Sequence, residues 1–357
     1  MESLLQALAG ITLLAHGGLC LLLPRRFRLR AAVLLGVVDL FWAAWIRQAA
    51  EDSGTAGAWS IPPLAAWLML HLLLLPGLLV EVLARRSGRR GPVRLIGAIL
   101  VLGGYGWGLA EAYGPPVVTE ATLTFPDLPP AFDGYRIVLL GDVHAGPFTS
   151  EAQLGRWARA AADLRGDLLV GAGDFIAYWP EEAEAPGRAF EALAPPDGKV
   201  GVLGNHDRFR TTEEVAVRLR RHGWVMLLDD VHAITRGSDR LLLLGTRHPY
   251  GNPAEFKAHW KGRPWPEGFR IGLCHGPEQW GIHRAEGARL TLAAHTHGGQ
   301  INLDPLFNMA RLRTPYVHGR FEEGGAELLV TRGLGCTGLP FRFRCRPELM
   351  AVTLRRG

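Results

Sequence analysis

Two large groups of hydrolases are excluded by what the chain lacks. No G-x-S-x-G stands in its 357 residues and no G-x-x-x-x-G-K-[ST], so it has neither the nucleophile elbow of serine hydrolases nor a P-loop for nucleotide phosphates. Internal repeats and low-complexity tracts are also missing. Cysteine is scarce, with four residues. Cys336 and Cys345 flank "TGLPFRFR", and outside the cytoplasm such a pair is able to oxidise, although spacing alone does not prove a bridge. The segment "MESLLQ" has no basic stretch before the first apolar run, which argues against a cleaved signal peptide. Positive charge is lacking where a nucleic-acid binder would need it. The net charge is +5, but residues 1–113 hold ten arginines, no lysine and six acidic residues, which leaves +1 for the rest of the chain. A nuclease is disfavoured on that ground.

Long apolar runs, in contrast, fill the first third. Leu4 to Leu23, Ala31 to Ile46, Ala58 to Leu83 and Leu95 to Tyr113 predict a membrane domain of about four transmembrane helices over 1–113, since a bilayer core takes ~20 apolar residues. The second run is the shortest and carries Asp39. "PRRFRLR" (24–30) holds four arginines and "ARRSGRRGPVR" (84–94) five, whereas "RQAAEDSGTAG" between them holds one. The positive-inside rule puts both arginine loops in the cytoplasm and everything after Tyr113 outside it. His16 and His71 fall inside spans and are read as neutral groups bonded to a neighbouring helix.

Beyond the spans the pattern changes. Residues 114–134 form a proline-rich connector whose "VVTEATLTF" alternates like an edge strand. From 135 to 357, apolar β-rich runs recur and each ends in a polar cluster: "YRIVLLGDVH", "DLLVGAGD", "KVGVLGNHD", "RLLLLGTRH", "FRIGLCHG" and "RLTLAAHTH". Helical patterns lie between some of them. "SEAQLGRWARAAADL" opens on Ser150 as N-cap, and "TTEEVAVRLRRHG" stops at Gly223. Continuous apolar strands alternating with helices predict an α/β domain with buried sheets. Its ligand chemistry belongs at the carboxyl ends of the strands.

Those strand ends carry Asp142 and His144, Asp174, Asn205 with His206 and Asp207, His275, and His295 with His297. Imidazole and carboxylate are ligands for Zn, Mn and Fe, and the set is large enough for two metals sharing Asp174. In "HTHGG" the two histidines alternate so that both rings reach one point. Gly141, Gly173 and Gly204 precede site residues, and Gly298 and Gly299 follow them, where the backbone must turn or approach an ion. His222, His232, His259, His283 and His318 are read as surface groups. Arg342, Arg344 and Arg346 in "PFRFRCRPE" form the one basic cluster outside the spans, suited to anionic head groups or to a solvated strand face.

With these motifs in order, the chain resembles the calcineurin-like metallophosphoesterases, whose pattern runs D-x-H, G-D, G-N-H-[DE], H and G-H-x-H. The "HTHGGQ" ending and "TRGLGCTGLPFRFRCRPE" resemble a membrane-associated bacterial subgroup of phosphodiesterases. The resemblance covers roughly 117–357. It implies a sandwich of two packed β-sheets flanked by helices and a dinuclear metal site; together with the arginine loops, it leads to the expectation of a bacterial cytoplasmic-membrane protein with the catalytic domain extracytoplasmic. Carried over, Asp142, His144, Asp174 and His297 hold one metal; Asp174, Asn205, His275 and His295 hold the other. Two positions depart from the family's pattern: Gly141 stands where Ser is usual, and Ala294 where Gly is usual. "GTRHPY" (245–250) replaces an acidic loop.

The chemistry expected of such a site is attack on phosphorus by a hydroxide shared between two cations. His206, held close by Asn205 and oriented by Asp207, is the expected proton donor to the leaving alkoxide. The expected substrate is a phosphoester, in particular a phosphodiester, with a lipid head group favoured by the membrane anchor. A metal-binding membrane sensor without turnover is the non-enzymatic alternative. Tyr178 and Trp179 are candidate cleft walls, and Arg247 and His248 candidate phosphate contacts.

Overall fold

The computed structural model describes residues 16–23, 55–208, 212–247 and 265–357, with isolated positions between 25 and 36. The chain divides into two compact units, residues 1–109 with Gly338–Pro340 and residues 110–337 with 341–357. In the first unit, α1 (Thr55–Arg86) and α2 (Arg90–Tyr113) are joined by a tight turn. Glu81 accepts from Arg85 and Arg94, both at 2.7 Å, so one carboxylate ties the end of α1 to the start of α2. Gly97 lies against Val80, where a β-carbon would collide with the valine side chain, as small residues permit between apolar helices. α2 is long and apolar enough to cross a bilayer, with mean hydropathy 1.5 over its most apolar window. The expected span 58–83 falls within α1; those at 4–23 and 31–46 lie largely outside the described residues. His16 and His71 are both buried, with their Nε2 atoms 3.3 Å apart.

The second unit is built on two six-stranded sheets. The first contains β1 (Val117–Phe125), β2 (Arg136–Leu140), β3 (Leu168–Ala172), β4 (Lys199–Val202), β5 (Trp224–Leu227) and β14 (Glu348–Arg356), in the order β1-β14-β2-β3-β4-β5. β2 to β5 run parallel and β14 antiparallel to β2. The second contains β6 (Asp230–Arg236), β7 (Asp239–Gly245), β8 (Phe269–Leu273), β9 (Leu290–Ala293), β12 (Gly319–Glu323) and β13 (Ala326–Val330), in the order β12-β13-β9-β8-β7-β6. A small hairpin, β10 (Asn302–Leu303) with β11 (Phe307–Asn308), stands outside both. β1 is an edge strand with an alternating burial pattern, as its sequence alternation predicts.

Packing follows the side-chain alternation. Leu139, Val170, Val200 and Met350 from the first sheet meet Leu241, Leu243, Ile271 and Leu292 from the second in one core, each buried aliphatic contributing about 1.5–3 kcal/mol. The opposite face of the first sheet is covered by α3 (Glu151–Asp163), α4 (Glu184–Glu191) and α5 (Thr212–Arg221), through Leu154, Trp157, Phe190, Val215 and Leu219. Ser150 caps α3, accepting from Gln153 N–H at 3.2 Å, and Gly223 follows α5 with φ 82°. On the outer face of the second sheet sits α6 (Trp280–Ala285). Its His283 is fully buried rather than on the surface, packed so closely on Gly272 that a β-carbon there would collide.

Candidate metal centre

Five strands deliver side chains to one region. β2 leads to Asp142 and His144, β3 to Asp174, β4 to Asn205 and His206, β8 to His275, and β9 to His295 and His297. Among the described residues, nine non-glycine positions have positive φ, and five of them are Asp142 (49°), His144 (45°), Asp174 (53°), His295 (74°) and His297 (51°). Left-handed backbone costs a non-glycine residue of order 1 kcal/mol or more and concentrates at functional sites. The turn thus falls on the site residues themselves, and only some flanking glycines share it. Gly173, Gly298 and Gly299 have positive φ. Gly141 and Gly204 serve close approach instead: a β-carbon on Gly204 would collide with the Asp174 carboxylate, and one on Gly141 would lie 2.6 Å from the Ala294 methyl.

Three overlapping groups have ligand atoms close enough to hold a cation: Asp142, His144 and His297; Asp174, His275 and His295; and His144, Asp174 and His206. His144 Nε2 and His297 Nε2 are 3.1 Å apart, and His295 Nδ1 is 3.0 Å from His275 Nε2. Asp174 Oδ2 is 3.2 Å from His275 and 3.6 Å from His144, while Asp174 Oδ1 accepts the His206 main-chain N–H at 2.8 Å. Asn205 Oδ1 approaches His275 Nε2 at 3.0 Å. Asp142 accepts the His295 N–H at 3.1 Å on both oxygens. The structure therefore brings all eight expected site residues together.

Electrostatics follow from burial. Burial pushes the Asp142 carboxyl up to about 7 and keeps the imidazoles of His144 and His297 well below their usual value, so both rings are neutral and able to offer lone pairs. Burial also works against charge on Asp174 and His275, but their mutual attraction outweighs it. His275 is raised to about 10 and Asp174 held well below the carboxylate range. His275 Nδ1 donates to Ala172 C=O at 2.8 Å, so Nε2 is the atom that would face a cation once its proton is displaced. His144 Nδ1 is buried without a hydrogen-bond partner among the described residues. Facing imidazole nitrogens, two buried carboxylates and glycines that leave no room for a β-carbon fit divalent cations in both clusters.

Several surrounding expectations need correction. The His206 ring is oriented by Ala177, whose carbonyl accepts from Nδ1 at 2.6 Å; Asp207 instead accepts the N–H groups of Ile176 (3.1 Å) and Gly204 (2.8 Å). Asp207 thereby staples the loops after β3 and β4. Arg342 faces no head group, because it is fully buried. Its guanidinium donates to the carbonyls of Arg332, Gly333, Gly335 and Cys345, and Nη2 lies 3.4 Å from His297 Nδ1. Cys336 and Cys345 are free, and the buried Cys345 thiol donates to His297 C=O at 2.9 Å. Arg344 and Arg346 are exposed. Arg247 pairs with Asp229 at 2.6 Å, and His248 lies outside the described residues. The Tyr178 ring stands 6.3 Å from that of His206, at the margin of the cluster.

Two packed sheets with carboxylates and imidazoles gathered at their strand ends make a candidate centre for divalent cations. Residues 135–319 match the calcineurin-like phosphoesterase family, and the chain belongs to it. It is 29% identical over 296 residues to an uncharacterised metallophosphoesterase, YkuE, of Bacillus subtilis, covering 77% of this chain and 99% of that protein. It is 28% identical over 293 residues to a transmembrane protein with metallophosphoesterase domain of Danio rerio, covering 78% of this chain and 65% of that protein. Against phosphodiesterase YaeI of Escherichia coli the identity is 26% over 231 residues, covering 62% of this chain and 82% of the relative.

Proposed function

We propose that the chain is a membrane-anchored phosphodiester hydrolase working with two divalent cations, Mn, Zn or Fe, held at the strand ends. The observation that carries this reading is the placement of Asp174, whose carboxylate lies 3.2 Å from His275 and 3.6 Å from His144 and so faces both donor clusters. In this reading Asp142, His144, Asp174 and His297 hold one cation, and Asp174, Asn205, His275 and His295 the other. Bound there, the cations supply the Lewis acidity that neutralises phosphoryl oxygens and makes water acidic enough to attack phosphorus.

The protein's own contribution is position and proton transfer. Ala177 C=O accepts the Nδ1–H of His206, so in its protonated, imidazolium form the ring carries its second proton on Nε2, 3.5 Å from Thr337 Oγ1, to give to the departing alkoxide. Asp207 keeps the His206 loop against the Asp174 loop. Arg342 braces the turn that carries His297 from behind.

A diester is favoured by the likeness to a relative named a phosphodiesterase. Membrane anchoring rests on α2 and on relatives named transmembrane proteins. We place the transmembrane domain at 1–113, the connector at 114–134 and the catalytic domain at 135–357, facing out of the cytoplasm because the arginine loops 24–30 and 84–94 face in. An enzyme held at a bilayer gains most from a lipid-linked phosphodiester.

The test is turnover by the purified full chain with Mn, Zn, Fe or Mg, on bis(p-nitrophenyl) phosphate, p-nitrophenyl phosphate and a glycerophosphodiester. Metal-dependent diester hydrolysis is expected. Binding of both cations without turnover of any ester overturns the reading in favour of a sensor, and hydrolysis of the monoester alone overturns its diester part.

A further inference from the structure

The turn that carries His295 and His297 runs straight into an exposed apolar hairpin. Four residues after His297 the chain reaches Ile301, which bridges to Phe343, and then forms β10, a turn and β11, followed by a single helical turn at Met309–Leu312. Leu306 is 90% exposed, Leu312 76% and Met309 63%; Leu303 and Phe307 are exposed beside them. Soluble surfaces carry apolar side chains singly, whereas five within ten residues form a patch that calls for a partner. The hairpin is nevertheless held firmly. Asn308 is buried, its side chain donates to Gly298 C=O at 3.1 Å, and it also caps the helical turn by accepting from Ala310 N–H at 3.0 Å.

What covers the patch is indicated by where the segment paired with it is attached. Asn302 N–H donates to Phe343 C=O at 2.9 Å, and Phe343 N–H to Gln300 C=O at 2.9 Å. Two residues further on, Cys345 N–H donates to Glu111 in the last turn of α2 at 3.0 Å, and Arg346 donates to Pro115 C=O at 3.1 Å. A single strip, 343–346, thus joins the apolar hairpin to the exit of the helix that is long and apolar enough to cross a bilayer. Exposed basic side chains border both elements: Arg313 and Arg311, the latter paired with Asp304 at 3.0 Å, follow the hairpin, and Arg344 and Arg346 lie on the strip. Apolar side chains rimmed by arginine fit the boundary between acyl chains and anionic head groups.

We propose that the 303–312 hairpin is a bilayer-docking surface that dips into the head-group region of an anionic membrane beside the metal centre. This inference rests on reading α2 as a membrane span and is independent of catalysis. Docking there holds the His295–His297 turn at the depth of a lipid head group, so the linkage to be cut need not leave the membrane.

The test uses the full chain with Cys20 and Cys336 replaced by serine, reconstituted in nanodiscs of phosphatidylcholine and phosphatidylglycerol. Nitroxide labels are placed in turn at Leu306→Cys, Leu312→Cys and Glu267→Cys. Leu306 and Leu312 are among the most exposed side chains of the unit, so substitution there spares the fold, and exposed Glu267 precedes β8 at the end opposite His275. Labels at 306 and 312 should collide with oxygen in preference to an aqueous nickel chelate, at a depth of about 5–10 Å, while the label at 267 should show the reverse. Aqueous labels at 306 and 312 on a chain that co-elutes with the discs overturn the docking surface alone. Labels shielded from both reagents and broadened by a neighbouring label overturn it in favour of self-association. A chain that fails to co-elute overturns the membrane reading together with the docking surface, and neither result touches the hydrolase assignment.

Discussion

Strands of the first sheet end in the carboxylates Asp142 and Asp174 and the amide of Asn205, with His144 and His206 beside them; strands of the second end only in imidazoles, His275, His295 and His297. Bound cations would therefore draw their countercharge from one sheet and most of their directional nitrogen donors from the other. The first sheet alone brings His144, Asp174 and His206 together, but the other two clusters cross between the sheets, since Asp142 and His144 need His297, and Asp174 needs His275 and His295. Metal binding and the cohesion of the two sheets are in consequence linked, because cations that bind only the packed form stabilise it.

The sharpest break of this division is at Asp174. Asp174→Asn should bring hydrolysis below detection and lower metal content at both clusters, whereas His295→Ala should remove only about one ion per chain. Mass spectrometry of bound metal separates the two, and equal losses would show that the sheets do not divide the donors as described. Next in size is His206, on the carboxylate side. His206→Asn should keep both metals and lose roughly 10²–10⁴ in rate on an alkyl diester, but far less on a nitrophenyl ester, whose leaving group needs no proton. A uniform loss across leaving groups would take His206 out of that role.

A third prediction probes the seam between the sheets. Gly141 follows β2 and Ala294 follows β9, and a β-carbon on the glycine would lie 2.6 Å from the alanine methyl. The two departures from the family's usual Ser and Gly thus face each other across the seam. Gly141→Ser alone should destabilise by about 1–3 kcal/mol through overpacking, and adding Ala294→Gly should restore most of it. Thermal unfolding of both variants gives the coupling, and additive losses would deny it.

The smallest effect is confined to the second sheet's outer side. Burial lowers His283 to about 3, whereas an unfolded imidazole titrates near 6.5. As pH falls through this window the unfolded chain binds a proton that the folded chain refuses, so stability falls, by at most about 1.4 kcal/mol per pH unit for one group. His283→Gln should flatten the decline of Tm between pH 6.5 and 5, and an unchanged slope would rule the group out.

The strands that lead to the site were legible because each is a short apolar run ending in a polar cluster, a pattern carried by neighbours in sequence. β6 was not, since its residues are mostly half-buried or exposed and leave no apolar run. The pairing of β1 with β14 joins Val117 to Glu348 across the whole domain and has no local signature. Arg342 reads as a surface cation for the same reason: its acceptors are carbonyls of residues 332–335 and 345, brought around it only by the fold. Which residues gather at the strand ends was readable from residue type and order. The left-handed backbone of five of those candidate ligands was not, because nothing in an Asp or His marks a strained φ until the packing that imposes it is known.

The strand order has a consequence for how the protein is made. β14 lies between β1 and β2, so the first sheet stays open until residues 348–356 have been synthesised, although its other strands emerge much earlier. Contacts this distant in sequence form slowly. In the extracytoplasmic orientation proposed above, a domain exported as it is made would cross the bilayer before that sheet closes and would meet its cations only on the far side. Pulse-labelled chains stalled before residue 348 should remain protease-sensitive and become resistant only when the last strand is released.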